Sequence, residues 1–176
     1  MSGTFTEKIK LDHEQRQVII DSVHDEVHEG EMMHAEYYAA SVNNNASVDV
    51  LITTGESEAH AVMNLSAGGS CVAYLYESPD ATGGTAITCY NMKRDNSRVP
   101  SATVAHTPSV SGTGSTALIA GRLIPGGTSQ TTRVGGGTRT GTEWILAPST
   151  KYLFRVTNIS GSTVGVSVAV EFYEGS

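Results

Sequence analysis

The sequence predicts an all-β fold, a β-sandwich or jelly roll of about nine strands with an extended N-terminal arm. Three observations lead there. Charged residues are only 16% of the chain while Gly alone numbers 19. Ser, Thr, Asn and Gly must therefore cover the surface, and long amphipathic helices would lack the Lys, Glu and Arg that their wet faces need. Short β-type runs recur every ~8–14 residues, separated by turn residues, and no βαβ alternation appears. Hydrophobic residues make up 39% of 176 residues, enough for one domain with its own core.

Taken in order, residues 1–22 read as the arm. The stretch 12–21 (DHEQRQVIID) predicts two helical turns with Asp12 as N-cap. Residues 23–176 form the single body, which opens on the acid cluster Asp25, Glu26, Glu29 and Glu31. Strands follow at 31–41, 48–53, 60–65 and 71–77. In the last of these Val72, Tyr74 and Tyr76 alternate with Cys71, Ala73 and Leu75. The segment 78–84 (SPDATGG) reads as a loop. Weaker strands are expected at 85–91 and 101–106, and a stronger one at 117–124, stopped by Pro125-Gly126-Gly127. A polar, Gly-rich loop runs to Gly141. Then 142–146 (TEWIL) and 151–158 (KYLFRVTN) predict a hairpin around Pro148-Ser149. Residues 163–173 close the body, with Val164, Val166, Val168, Val170 and Phe172 in period-2 register.

No apolar run is long enough to cross a bilayer, and Met1–Leu11 holds no apolar h-region of a secretory signal. A protein made and assembled in a cytosol is expected, in which the Asn-x-Ser matches at Asn45, Asn64 and Asn158 carry no glycan. Cys71 and Cys89 lack the paired spacing of a zinc site. They read as plain thiols, with a strand-to-strand bridge as the alternative.

Patterns that could carry chemistry each meet a plainer explanation. His24, His28 and His34 lie in an acid-rich stretch whose imidazoles and carboxylates suit a metal ion, but surface histidines explain them as well, and no metal or cofactor is expected. Gly112-Thr113-Gly114-Ser115-Thr116-Ala117 matches a relaxed dinucleotide fingerprint. It is followed by a strand pattern, not a helix, and by no acid until Glu143. Gly135-Gly136-Gly137 lacks the Lys-Ser/Thr of a phosphate loop. Glu143 beside Trp144 suggests a sugar platform, yet adjacent strand residues face opposite ways, and the lone Trp reads as core. No nucleophile elbow occurs. No catalytic residue is assigned, and the protein is expected not to be an enzyme.

Charge is uneven. Residues 1–92 hold 14 acids and 3 bases, and residues 93–155 hold 8 bases and 2 acids, within a net charge of −7. Nucleic acid would be repelled by such a chain. An acidic end and a basic stretch suit pairing between copies or with a patterned lattice. Asp25, Glu26 and Glu29 on one side, and Arg122, Arg133 and Arg139 on the other, are therefore the candidate subunit-interface residues; charges merely scattered over loops are the alternative.

Several segments together resemble a set of tailed-phage virion structural proteins of the decoration (cement) or accessory type. They are Val27-His28-Glu29-Gly30 entering a strand, Tyr74-Leu75-Tyr76-Glu77 before a Gly-Gly loop, and Tyr90-Asn91-Met92-Lys93-Arg94. Glu143-Trp144-Ile145-Leu146, the 151–158 strand and Glu171-Phe172-Tyr173-Glu174 complete them. The resemblance covers nearly everything from Val23 onward, and its motifs are structural. It implies a virion protein, assembled in the host cytoplasm, that binds the major capsid protein or another virion component and stabilises the head shell by bridging capsomers. A closed homo-oligomer, a trimer above others, is the expected form. Location on tail or neck is the alternative within that class. A carbohydrate-binding module using Tyr37, Tyr38, Tyr74, Tyr76, Tyr90 or Trp144 is the alternative outside it.

Overall fold

The computed structural model describes residues 10–11, 17–18, 22–114, 116–125 and 143–175. Two short strands, β1 (Lys10–Leu11) and β2 (Gln17–Val18), pair antiparallel. The expected helix over 12–21 is thus not found where it is described, since Gln17 and Val18 are in a strand; the rest of that stretch lies outside the described residues. A helix is found at α1 (Ser22–Glu29) instead, with Asp25 in its first turn, where a carboxylate is favourable to the helix dipole. It stops at Gly30, whose φ of 79° places it in the left-handed region. Gly30 N–H donates to Val27 O (3.1 Å) and Glu31 N–H to Glu26 O (2.9 Å), the paired bonds of a Schellman cap.

The body is all-β and antiparallel. Its strands are β3 (Met33–Val42), β4 (Ser47–Thr53), β5 (Ala59–Ala67), β6 (Cys71–Glu77), β7 (Asp80–Thr82), β8 (Thr85–Ile87) and β9 (Tyr90–Asn91). They continue as β10 (Thr103–His106), β11 (Ser109–Gly112), β12 (Thr116–Ile124), β13 (Trp144–Leu146), β14 (Lys151–Asn158) and β15 (Val164–Glu174). One sheet has six strands in the order β12-β6-β14-β4-β10-β8, and the other has five in the order β13-β5-β15-β3-β9. A small ribbon pairs β11 with β7.

Inward-facing residues of both sheets form one core. Val164, Val166, Val168, Val170 and Phe172 of β15 are buried, as the period-2 pattern predicts, and meet Cys71, Ala73 and Leu75 of β6 with Val48, Val50 and Ile52 of β4. A fully buried Val, Leu or Phe contributes about 1.5–3 kcal/mol, so this sandwich core is the main source of stability. Trp144 is only half-buried and packs on the rim of the core.

Three expectations need correction. The stretches 142–146 and 151–158 do not form a hairpin. β13 pairs with β5, whereas β14 lies between β6 and β4 in the opposite sheet. The chain crosses the sandwich at 147–150, and polar groups hold that corner. Thr54 Oγ1 lies 2.7 Å from Ala147 O and accepts from Thr150 N–H at 2.9 Å, while Ala147 N–H donates to the Tyr152 hydroxyl at 2.9 Å. The stretch 85–91 likewise splits, with β8 in the six-stranded sheet and β9 in the five-stranded one. The segment read as a loop at 78–84 contains β7. The dinucleotide-like glycines make a turn from β11 into β12: Gly114 has φ 79°, and a Cβ there would meet Glu77 O at 2.7 Å.

The ribbon bears on the outer face of the six-stranded sheet. Leu51 and Leu153 are cross-strand partners that point outward, yet both are buried and lie outside the main core. Ala81 of the ribbon is also buried, and Lys151 Nζ donates to its carbonyl at 2.8 Å.

Candidate functional site

The candidate interface residues fall on different parts of the sandwich. Asp25 and Glu26 are half-buried and Glu29 is exposed, all on α1, which leads directly into β3 of the five-stranded sheet. Arg122 is half-buried on β12, the edge strand of the six-stranded sheet. Arg133 and Arg139 lie outside the described residues. Helix α1 is tied down at its C-terminal end: Glu31 pairs with Arg98, Asn91 Nδ2 donates to Gly30 O at 2.7 Å, and Met92 N–H donates to Met32 O at 2.9 Å. Its acids are therefore presented from a fixed base.

The strands sort charge between the sheets. Those of the five-stranded sheet carry Glu36, Glu171 and Glu174 and no Lys or Arg. Arg122, Lys151 and Arg155 all belong to the six-stranded sheet, beside Asp49 and Glu77. Arg155 and Asp49 form a two-pronged pair with both N···O distances at 2.7 Å, and that hydrogen bonding to Asp49 holds the guanidinium charge more firmly still. Tyr74 and Tyr76 stack beside it, with ring centroids 5.8 Å apart.

The histidines separate into two places. His24 and His28, one turn apart on α1, touch through their Nε2 atoms at 2.9 Å. His34 on β3 faces Glu36 (3.7 Å) and Glu171 (3.8 Å). Among the described residues, no group of three or more His, Cys, Asp or Glu is placed to hold a metal ion.

A cluster that motif reading missed gathers residues from three distant points of the chain. His60 of β5 stacks on Tyr173 of β15, with centroids 4.5 Å apart and Nδ1 3.0 Å from the phenol oxygen. Nδ1 also lies 3.2 Å from Glu143 Oε1, and Nε2 lies 3.4 Å from Glu58 Oε1. Burial pushes the Tyr173 phenol pKa far up, and hydrogen bonding to Glu143 with the charges of Glu143, Glu26 and Glu58 pushes it further. The cluster can share a proton, but no Ser, Cys or Lys nucleophile is among these partners. Strand register brings Glu143 and Tyr173 to the Glu58–His60 pair, so no local spacing announced the full set. The involvement of Glu26 also places α1 near this end of the five-stranded sheet.

Cys71 is buried, Cys89 is half-buried, and both are free. Burial raises both thiol pKa values, which removes the thiolate that reactivity needs. Of the tyrosines, Tyr38 and Tyr90 are the most exposed, at 64% and 55%, whereas Tyr37 stacks on His106 at 3.9 Å. No family model, curated protein or solved structure matches this chain.

Proposed function

We propose that this protein is a non-enzymatic structural component of a virus particle, a decoration protein that binds the assembled head shell and bridges its subunits. The observation that carries the reading is the division of charge between the sheets. Acids of α1 and the five-stranded sheet lie on one side, and the strand-borne bases lie in the other sheet. A body whose acids and bases are set apart in this way can sit between a lattice and a neighbouring copy. The sequence resemblance to tailed-phage decoration proteins supports the same reading, with a closed homo-oligomer, a trimer above others, as the bound form. Binding that occurs only on the assembled shell stabilises that shell by mass action, and no reaction is required.

The experiment is to add the purified protein to heads that lack it and follow mass and melting by light scattering. The expected result is uptake in a fixed copy number and a higher melting temperature of the heads. Charge reversal of Asp25, Glu26 and Glu29 to Lys should weaken uptake while leaving the fold's circular dichroism unchanged. Heads that ignore the wild-type protein, while tails or necks take it up, would move its place in the particle. Uptake by no particle component would end the reading.

A further inference from the structure

Tyr38 is placed unlike the other aromatic side chains. It sits on β3 directly across from Ser167 of β15, on the outer face of the five-stranded sheet. Its ring reaches diagonally over Gly165: a Cβ built there would lie 2.8 Å from the Tyr38 hydroxyl oxygen and 3.2 Å from Cε2. Only a residue with no side chain lets the ring lie so low across the neighbouring strand. The ring thus lies along the sheet, with most of its surface open.

Beside it runs an open trough of about 470 Å³, lined by Ser66, Gly68, Thr163 and Ser167 as well as Tyr38. Ser66 and Ser167 are register partners, so their hydroxyls stand side by side. Ser167 Oγ donates to Glu36 Oε1 at 2.6 Å, which fixes a carboxylate at the margin. The trough is open, so it would hold one side of a ligand and leave the other to solvent. β3, β15 and β5 are contiguous, paired strands, so the donors and the ring are held on a rigid surface.

An apolar ring face next to a row of hydroxyls and one carboxylate matches the two sides of a pyranose. C–H groups lie on the aromatic ring, and hydroxyls exchange hydrogen bonds at the rim. Glu36 repels an acidic sugar, and the strands of this sheet carry no Lys or Arg to offset it. We infer that the trough is a binding site for a neutral sugar ring of an oligosaccharide. The site lies on the outer face of the five-stranded sheet and gives the protein a second role there.

The test is amide NMR of the whole chain titrated with cellotetraose, maltotetraose and tetra-N-acetylchitotetraose, each to about 10 mM. At least one should give saturable shifts at Ser66, Gly68, Gly165 and Ser167. Tyr38→Ala should weaken that binding about tenfold, while Tyr90→Ala, which removes the other well-exposed tyrosine, leaves it unchanged. If Tyr38→Ala fails to fold, intermolecular NOEs between the Tyr38 ring and sugar C–H protons on the wild-type protein decide the question. Absence of shifts with all three probes, shifts centred elsewhere, binding that survives loss of the ring, or no NOEs to that ring would each overturn the site. Sugar binding is read on the free protein and needs no shell, so failure here is distinguishable from failure of the assembly role.

Discussion

Asn158 is fully buried at the end of β14, and each polar atom of its side chain is used. Nδ2 donates to Val42 O (2.8 Å) and Ser162 O (2.7 Å), and Oδ1 accepts from Ser160 N–H (2.9 Å). Removing it strands buried carbonyls, so Asn158→Ala should cost about 3 kcal/mol, read as a lower urea midpoint with an unchanged slope. Glu174 shows the opposite balance of burial and bonding. Burial alone would raise its pKa, but hydrogen bonds from Ser101 Oγ, Ser101 N–H and Ala102 N–H, helped by Arg98, lower it below the ordinary 4.5. A depressed carboxyl contributes stability above its unfolded pKa and loses it as pH falls through the folded pKa. Glu174→Gln should therefore lower the melting temperature at neutral pH, with the difference from wild type shrinking in acid below about 4.5. Neither role was legible in the sequence. Asn158 read as an idle glycosylation match and Glu174 only as part of a structural motif, because Val42 and the 101–102 segment that they bond lie far off in sequence.

At the level of elements, the strands were legible where one face is buried. β6 and β14 begin and end at the residues expected from alternation, and β15 alternates as expected. The arm was less so. The stretch 12–21 had helix-forming residues and an N-cap, but Ser22–Glu29 has a better ending, since Gly30 closes the Schellman cap. Gly30 is also confined by its surroundings: a Cβ there would lie 2.0 Å from Asn96 Nδ2. Gly30→Ala should cost about 1–3 kcal/mol through left-handed strain alone, with the Asn96 clash added. Loss of amide protection should concentrate in α1 and the loop after β9, as hydrogen exchange would show. The hairpin expected from 142–158 failed for a general reason. Period-2 alternation says which side of a strand faces inward, but not which sheet the strand joins.

For the molecule as a whole, an all-β sandwich was legible from composition and spacing, whereas the sorting of charge between two sheets depended on topology. Strand edges are blunt: β8 and β13 have 3 residues each, β9 has 2, and β12 carries two register shifts. Such edges discourage open-ended strand pairing between copies, so the proposed assembly would act through the faces and α1. If opposite charges on those surfaces drive attachment, uptake by heads should fall as salt rises. The triple Lys variant of Asp25, Glu26 and Glu29 should show a shallower salt dependence than wild type.

The placement of β15 has a temporal consequence. It is made well after β3 and β5, yet it lies between them, hydrogen-bonded to β5 on one side and β3 on the other. Until a ribosome has delivered residues 164–174, β3 and β5 have no partner between them and the acidic face does not exist. A chain that stops before residue 164 thus leaves two strands facing a gap, and the sheet closes only when translation has passed that point.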